Sequence, residues 1–170
     1  LDLTLDSRQV KDGSLFIAIR GSDGHGLEYI DEAITNGAVA VLYDQWSGEI
    51  PTIVPALRVS ELRTQIGHLA SIFYEYPCRN MHIIGVTGTN GKTTTVHLIA
   101  QLAGRLGYKT ARIGTLGVSV GSIGLIDLDR TTPDAVSLTK IFVELQSHGV
   151  QIVAMEVSSH ALDQYRVCLL

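Results

Sequence analysis

The residues best suited to chemistry lie in one glycine-rich stretch, Gly85-Val-Thr-Gly-Thr-Asn-Gly-Lys-Thr-Thr94. Glycines let successive backbone N–H groups turn towards phosphate oxygens, and a helix that starts directly afterwards adds partial positive charge. In such a phosphate loop the lysine, here Lys92, reaches the β- and γ-phosphates, and the next hydroxyl, Thr93, ligates magnesium. The pattern is a variant, because Val86 stands where the first glycine is usual and Gly85 comes one residue early. The stretch predicts a nucleotide-phosphate site.

A second acid is expected to complete a magnesium site. The run Ile152-Val-Ala-Met-Glu156 consists of four apolar residues that end in a carboxylate. This is typical of a central strand whose carboxyl end lies at the ligand-binding edge of a parallel sheet, the edge that also carries a phosphate loop. Because a phosphate loop needs a further magnesium ligand, we predict Thr93 and Glu156 as metal ligands and Lys92 and Glu156 as catalytic groups.

Polar residues continue directly after that strand, with Ser158-Ser159-His160 followed by Gln164 and Arg166. A serine beside a histidine suggests a nucleophile and its base, but no glycine elbow surrounds these serines and no third triad member is evident. We therefore interpret the segment as a polar loop that contacts substrate or phosphate.

The elements that position these residues alternate regularly in the second half of the chain. The patterns predict strands at His82–Thr87, Thr110–Thr115 and Gln151–Val157, and an irregular hairpin over Leu116–Leu128. They predict helices at Lys92–Leu106 and from Thr132-Pro133 to Gly149, the second with Thr132 as its cap and Pro133 in its first turn. The predicted core faces of the two helices are Ile99, Leu102, Ala103 and Leu106, and Leu138, Ile141, Phe142 and Leu145. Strands that alternate with helices favour a parallel sheet, with only three strands recognisable here.

The first half predicts a smaller mixed α/β unit. Strands are expected at Ser14–Arg20, Ala38–Tyr43 and Thr52–Val59, the last at a sheet edge or bulge because of Pro55, with helices before Gly37 and after Ser60. The Tyr76-Pro77 break separates the halves. The predicted fold class is α/β: a small mixed N-terminal domain over residues 1–78 and a truncated P-loop parallel-sheet ATPase domain over residues 79–170.

Composition excludes several classes of protein. The 170 residues carry 17 acidic and 13 basic side chains, a net charge of −4, which argues against a nucleic-acid binder. At 45% hydrophobic and 18% charged residues the chain can bury a core, yet no apolar run approaches the roughly 20 residues of a membrane helix. Two distant cysteines, Cys78 and Cys168, form neither a disulfide framework nor a zinc motif, so a reducing cytoplasm is expected.

At Thr-Gly-Thr-Asn-Gly-Lys-Thr-Thr combined with Ala-Met-Glu-Val-Ser-Ser-His, the sequence resembles the Mur ligases of peptidoglycan synthesis. It is most similar to the MurE type, which adds the third amino acid to UDP-N-acetylmuramoyl-L-alanyl-D-glutamate. The likeness runs from Asp6-Ser7-Arg8 through Thr131-Thr132-Pro133 to Gln164-Tyr165-Arg166, and so covers essentially the whole chain. A folylpolyglutamate-like amide ligase would share the phosphate loop but would not need the first domain with its Asp6-Ser7-Arg8 motif.

The resemblance implies an ATP- and Mg²⁺-dependent ligase that joins meso-diaminopimelate or L-lysine to the UDP-muramoyl dipeptide through an acyl phosphate. It implies that Leu5, Ser7, Ser22, Asp23 and Gly24 hold the uridine end, that Gly88, Thr89, Asn90, Gly91, Lys92, Thr93 and Thr94 hold ATP, and that Thr131, Thr132, Ser158, Gln164 and Arg166 contact the muramoyl peptide. The family's carbamylated lysine, adenine contacts and third domain would follow Leu170. The chain is therefore expected to be an inactive fragment of an enzyme that is monomeric at full length.

Two further alternatives stay open at this point. A P-loop kinase or switch ATPase would use Lys92 and Thr93 in the same way but transfer phosphate to a hydroxyl or to water. A non-catalytic UDP-sugar-binding module would use only the first half. Neither a nucleic-acid nor a membrane partner is expected.

Overall fold

The computed structural model describes residues 1–21, 24–50, 53–128 and 131–167. Its internal contacts divide the chain into two compact units, Leu1–Ile66 and Gly67–Leu170. Within the described ranges, no helix combines the length and the apolar character that crossing a membrane requires.

The first unit is built on a four-stranded, fully parallel sheet. Its strands are β1 (Asp2–Thr4), β2 (Ser14–Ala18), β3 (Ala38–Tyr43) and β4 (Ala56–Arg58), in that spatial order, with helix α1 (Ile30–Thr35) and 3₁₀ turns at Ser7–Gln9 and Gly26–Tyr29 between them. Thr52, the first residue of the strand predicted over Thr52–Val59, lies outside the described residues. Among the described residues the strand is shorter than predicted, because β4 begins only after Pro55, which has no N–H for a ladder bond. The prediction of an edge strand is confirmed, since β4 is the last strand of the sheet.

The core of this unit is formed by buried aliphatic and aromatic side chains from the sheet, from α1 and from the 3₁₀ turns and their flanks. They are Val10, Phe16, Ala18, Leu27, Ile30, Ala33, Ala38 and Val41. Helix α1 ends at Thr35, and Gly37 terminates it as predicted, with a φ of 104° that suits glycine and an N–H that donates to Ile34 O at 3.0 Å. The next helix, α2 (Leu62–Phe73), follows β4.

The second unit contains a five-stranded sheet in the order β5-β9-β6-β7-β8. The strands are β5 (His82–Val86), β6 (Thr110–Gly114), β7 (Gly117–Val120), β8 (Ile123–Ile126) and β9 (Ile152–Glu156), and the helices are α3 (Lys92–Arg105), α4 (Ala135–Ser147) and α5 (Ser159–Asp163). Strands β5, β9 and β6 are parallel, as predicted. The expectation of only three strands is wrong, because the predicted hairpin pairs antiparallel with β6 and extends the sheet.

The placement of β9 matters most for the site. It lies between β5 and β6, so the end of β9 has the phosphate-loop strand on one side and β6 on the other. Its residues Val153, Ala154 and Met155 are fully buried. The prediction that this strand has neighbours on both sides is confirmed, and its last residue, Glu156, lies between the ends of β5 and β6.

The two main helices of this unit meet the predictions differently. The face predicted for α4 is confirmed, since Leu138, Ile141, Phe142 and Leu145 are all buried. The face predicted for α3 is wrong in part: Leu102 and Leu106 are 60% and 77% exposed, and the buried residues are Val96, Ala100 and Ala103. Small side chains let α3 pack closely on the sheet, where Val96 and Ala100 contact Ala154 of β9.

The start of α4 also differs from the prediction. The residue that caps α4 is Asp134, whose Oδ1 accepts from the N–H groups of Val136 and Ser137 at 2.9 and 3.0 Å. Thr132 was the predicted cap, but its hydroxyl donates to the main-chain oxygen of Glu156 at 2.9 Å. Because a hydroxyl has one proton and Thr132 uses it on β9, the threonine ties the segment before α4 to the sheet edge.

Candidate active site

The predicted phosphate loop lies between the end of β5 at Val86 and the start of α3 at Lys92. Two of its glycines have positive φ, 144° at Gly88 and 79° at Gly91, the residue before the helix. A Cβ on Gly91 would meet nothing within 4 Å, so the backbone conformation, not crowding, is the reason for glycine there. The strand, glycine turn and helix expected from the sequence are all present.

Lys92 turns back over this loop from the first position of α3. Its Nζ donates to Gly88 O at 2.7 Å and to Thr89 O at 3.4 Å. The ammonium is therefore held against the loop by two of the loop's own carbonyl groups. A phosphate oxygen within the loop would find this cation and the helix N-terminus next to each other.

Glu156 is the most connected side chain at the sheet edge and is only 2% exposed. Its Oε1 accepts from Thr93 Oγ1 at 2.9 Å and from the Thr115 N–H at 3.1 Å, and Thr115 Oγ1 donates to its Oε2 at 3.4 Å. The last residue of β6, Gly114, leaves the necessary space, since a Cβ there would lie 2.2 Å from Oε1. A carboxylate at this depth is thus held by hydrogen bonds from the end of β6 and from the start of α3, as a buried acid must be.

The oxygens of Thr93 and Glu156 fit a magnesium ion. They lie 2.9 Å apart, and adjacent ligands of an octahedral Mg²⁺ at its usual bond length are also separated by about 2.9 Å. No group of three or more histidine, cysteine or acidic side chains that could hold a metal ion exists among the described residues. Magnesium does not need one, because it keeps waters and phosphate oxygens as its remaining ligands.

Thr115 and Gly114 are site residues that the sequence reasoning missed. Both follow from the position of β6 beside β9, which an unaligned sequence does not reveal. The available signal was the end of a predicted strand at a Gly-Thr pair, on the same edge as the phosphate loop. Thr115 is the more informative of the two, because its hydroxyl also lies 3.1 Å from Thr131 Oγ1.

The predicted substrate residues of the second unit are brought together around Thr132. Its Oγ1 accepts from the Ser158 N–H at 3.2 Å, and its main-chain oxygen accepts from Arg166 Nη1 at 2.9 Å. Arg166 Nε in turn donates to Gln164 Oε1 at 2.9 Å. The guanidinium is thus held in a fixed orientation by its neighbours on both sides.

An open pocket of about 390 Å³ lies beside this network. Its lining consists of Thr115, Leu128, Thr131, Thr132, Ser158, His160 and Arg166. His160 is a further residue that the predicted site did not include. The Ser158 hydroxyl accepts from the Ala161 N–H at 3.1 Å and caps α5, so the predicted polar loop is a short helix whose first turn borders the pocket.

In the first unit, the predicted uridine residues follow the carboxyl ends of neighbouring parallel strands. Leu5 and Ser7 come after β1, and Gly24 comes after β2, in a turn that the Gly21 N–H closes onto Gly24 O at 2.7 Å. Ser22 and Asp23 lie outside the described residues. Strand ends of this kind are the usual ligand-binding edge of a parallel sheet.

A buried histidine that the sequence did not single out follows this turn and caps the 3₁₀ turn Gly26–Tyr29. His25 is 1% exposed, its Nδ1 accepts from the Leu27 N–H at 3.1 Å, and its Nε2 lies 2.6 Å from Asp44 Oδ1. Since Nδ1 is an acceptor, the proton of a neutral ring lies on Nε2 and is donated to the carboxylate. Trp46 packs on the ring with a centroid distance of 4.9 Å.

Comparison with known proteins agrees with this arrangement over the whole chain. The profile of the Mur ligase middle domain matches residues 86–170, and that of the Mur ligase family catalytic domain matches residues 2–74. Two curated relatives, from Xanthomonas oryzae pv. oryzae and Pseudomonas putida, are named UDP-N-acetylmuramoyl-L-alanyl-D-glutamate–2,6-diaminopimelate ligase, and each is 44% identical to this chain. The alignments cover 97% and 99% of this chain, and 33% and 34% of the respective relative. The chain thus spans about a third of the length of the curated relatives it matches.

Solved structures give the same answer. The structure of a UDP-N-acetylmuramoyl-L-alanyl-D-glutamate–2,6-diaminopimelate ligase superposes on this chain with a TM-score of 0.80 at 29% identity. The match covers 98% of this chain and 33% of that one. MurF ligase from Thermotoga maritima in complex with ADP shares the fold, with a TM-score of 0.56 at 22% identity over 93% of this chain and 32% of that one. The matching profiles, the identity over nearly all of the chain and the phosphate-loop geometry lead to one conclusion: the chain belongs to the Mur ligase family.

Proposed function

We propose that the protein to which this chain belongs is an ATP-dependent amide ligase that adds a diamino acid to UDP-N-acetylmuramoyl-L-alanyl-D-glutamate in peptidoglycan synthesis. The observation that carries the proposal is the network at Glu156. The same buried carboxylate accepts from Thr93 of the phosphate loop and from Thr115 of the adjacent pocket. A ligase that activates a carboxylate with ATP needs its nucleotide and its acceptor side by side.

The two proposed domains would divide the substrates between them. We propose residues 1–78 as the UDP-substrate domain, with Leu5, Ser7 and the Ser22–Gly24 turn at the uridine end, and residues 79–170 as the first part of the ATP domain. The first proposal is supported by the strand ends that Leu5, Ser7 and Gly24 follow. The second is supported by the phosphate loop between β5 and α3. The two cysteines and their spacing favour a cytoplasmic enzyme, which we propose to be monomeric.

The proposed reaction has two steps. The side-chain carboxylate of the D-glutamyl residue attacks the γ-phosphorus of ATP; a P–O bond forms, the bond to the β,γ-bridging oxygen breaks, and ADP leaves with an acyl phosphate remaining. The amine of the incoming amino acid then attacks the acyl carbon, the C–O bond to phosphate breaks, and inorganic phosphate and one proton are released. The product is an amide.

The residues of this chain would act by positioning and by charge. Lys92, already at the loop, would neutralise charge on the γ-phosphate, and Thr93 with Glu156 would hold Mg²⁺. When bound, Mg²⁺ offsets phosphate charge and favours attack by an anionic carboxylate. The muramoyl peptide would be oriented by Thr131, Thr132, Ser158, Gln164 and Arg166. Arg166 would supply the positive charge that the carboxylates of the peptide require.

The test is a reconstituted assay with the full-length protein, ATP, Mg²⁺, UDP-muramoyl dipeptide and either diaminopimelate or L-lysine. We expect ADP release that depends on the amino acid, and a UDP-muramoyl tripeptide identified by its mass. Diaminopimelate is the first candidate, because the relatives at 44% identity are named for it. Binding of UDP sugar without ATP turnover would instead support a non-catalytic module, and ATP turnover without dipeptide would support a simple ATPase.

A matched pair of lysine variants ties the activity to the phosphate loop. Lys92→Ala removes the ammonium that lies against Gly88 and Thr89, and we expect at least about a 100-fold loss of kcat, since removing one such charge-stabilising group costs that much. Lys109→Ala removes an exposed lysine elsewhere in the same unit and should leave turnover unchanged. Circular dichroism should show both variants folded.

A further inference from the structure

We propose that Glu32 is a positioning residue that fixes the polarity of the Ser7 hydroxyl, so that Ser7 accepts a hydrogen bond from the nucleoside of the UDP substrate instead of donating one to its diphosphate. This rests on the proposed function, in which Ser7 lies at the uridine end. Nothing in the sequence pattern singles out Glu32, which lies on the exposed side of a short helix.

The contact that carries the inference joins the 3₁₀ turn Ser7–Gln9 to α1. Ser7 Oγ donates to Glu32 Oε2, and Asn36 Nδ2 donates to the main-chain oxygen of Ser7 at 3.0 Å. Glu32 and Asn36 are four residues apart and therefore lie on one side of α1. The helix thus binds the same serine twice, through its side chain and through its backbone, which fixes the place of Ser7 as well as its rotamer.

The direction of the first bond follows from chemistry. An ionised carboxylate can only accept, so the proton between the two groups must come from the serine. A serine hydroxyl has one proton and two lone pairs, and with that proton committed only acceptor capacity remains. Ser7 is 6% exposed, so little water competes for that capacity. A ligand group that reaches Ser7 Oγ must therefore be a donor.

This requirement separates the parts of a UDP substrate. Diphosphate oxygens are acceptors, and they would also be brought close to a carboxylate of the same charge sign. Uridine supplies donors at N3–H of the base and at the ribose hydroxyls, whereas cytidine has an acceptor at N3. A Ser7 whose proton is held by Glu32 thus favours a uridine nucleoside over a cytidine one if the donor is N3–H, and favours intact ribose if the donor is a hydroxyl.

The experiment measures the dissociation constants of UDP, CDP, 3-methyl-UDP and 2′-deoxy-UDP by calorimetry with the full-length protein. The wild type, Glu32→Ala, Glu32→Gln and the control Asp31→Asn are compared. Asp31 is the neighbouring exposed acid in the first turn of α1, so its variant loses the same charge without touching Ser7. The glutamine variant keeps an oxygen that can accept the serine proton.

For the wild type we expect about 10-fold weaker binding of the analogue that lacks the donor, the ratio expected for one unmade hydrogen bond. Weak 3-methyl-UDP and CDP would identify N3–H as the donor, and weak 2′-deoxy-UDP would identify the ribose. Glu32→Ala should reduce that ratio to below about 3-fold and weaken UDP itself, while Glu32→Gln and Asp31→Asn should keep the ratio.

An unchanged ratio in Glu32→Ala, with UDP still bound, would overturn the inference and leave Glu32 as a contact that only packs α1. Equal binding of all four nucleotides by the wild type would overturn it as well. Failure of the wild type to bind UDP at all is a different result, because it would remove the proposed uridine site itself. Melting temperatures of the variants check that each is folded.

Discussion

At the scale of single residues, one buried carboxylate joins the nucleotide side of the proposed site to its substrate side. Glu156 accepts from Thr93 and from Thr115 through its side chain, and its main-chain oxygen accepts from Thr132. Thr115 then lies within hydrogen-bond distance of Thr131. A change at Thr115 therefore alters the orientation of a proposed metal ligand and of a proposed substrate residue at once.

The first prediction is that Thr115→Val lowers kcat about 10-fold, because small misplacements of catalytic groups are costly in rate. The variant keeps the N–H that bonds to Glu156 but loses the hydroxyl shared with Thr131. The KM for ATP should change less than about 2-fold, since the phosphate loop is untouched. Steady-state kinetics would be read beside Thr115→Ser, which keeps the hydroxyl and should keep the rate. A rise in KM with unchanged kcat would contradict the positioning role.

A second residue-scale prediction concerns the thiol of Cys78. Burial raises the pKa of this thiol from 9.0 to about 11, because the charged thiolate is the form that burial disfavours. The folded protein therefore holds the thiol proton over a pH range in which the unfolded chain has lost it. Since the unfolded state binds fewer protons there, this group makes stability fall between pH 9.0 and about 11.

The measurement is the rate of alkylation of Cys78 by iodoacetamide as a function of pH, followed by peptide mass spectrometry. In the native protein the midpoint should lie near pH 11, and in denaturant it should return to near 9.0. Equal midpoints in both states would show that burial does not perturb this thiol. The same peptide mapping reports Cys168 separately.

At the scale of elements, periodic hydrophobic patterns predict the helices and strands correctly in two clear cases. Strand β3 has the predicted bounds, and the face of α4 is the predicted one, because each is governed by burial on a single large surface. The predicted face of α3 is wrong in part, because it favours large side chains, whereas small residues such as Ala100 make the contact with Ala154. Hydrophobic size predicts burial poorly where a helix packs closely on a central strand.

The start of α4 gives the third prediction. Asp134→Ala should lower the free energy of unfolding by about 1 kcal/mol, because the helix loses the side chain that caps two of its free N–H groups. Asp134→Asn should stay close to the wild type, as asparagine caps equally well. Urea unfolding followed by circular dichroism measures both changes. If Thr132 were the cap, Asp134→Ala would instead be nearly neutral.

At the scale of the whole molecule, short sequence motifs predict the phosphate loop and Glu156, but they do not predict which strands and helices lie side by side. The phosphate loop and Glu156 were predictable because one motif fixes the loop and one apolar run fixes the strand end. Thr115, Gly114 and Glu32 were not, since each depends on which strand or helix lies beside another. The chain places its proposed uridine residues in the unit Leu1–Ile66 and its phosphate loop in the unit Gly67–Leu170.

That division gives the last prediction, for hydrogen exchange in the full-length protein. UDP should slow exchange in the loops after β1 and β2, and magnesium ATP should slow it in the phosphate loop and at the ends of β6 and β9. At a concentration of about 100 times Kd, amides that exchange only after the ligand leaves should slow about 100-fold, equivalent to about 2.7 kcal/mol. Lys92→Ala should remove the ATP pattern and keep the UDP pattern, because the lysine donates to loop carbonyls of its own unit. Protection of the first unit by ATP, with no UDP effect there, would show that the proposed division of substrates between the two units is wrong.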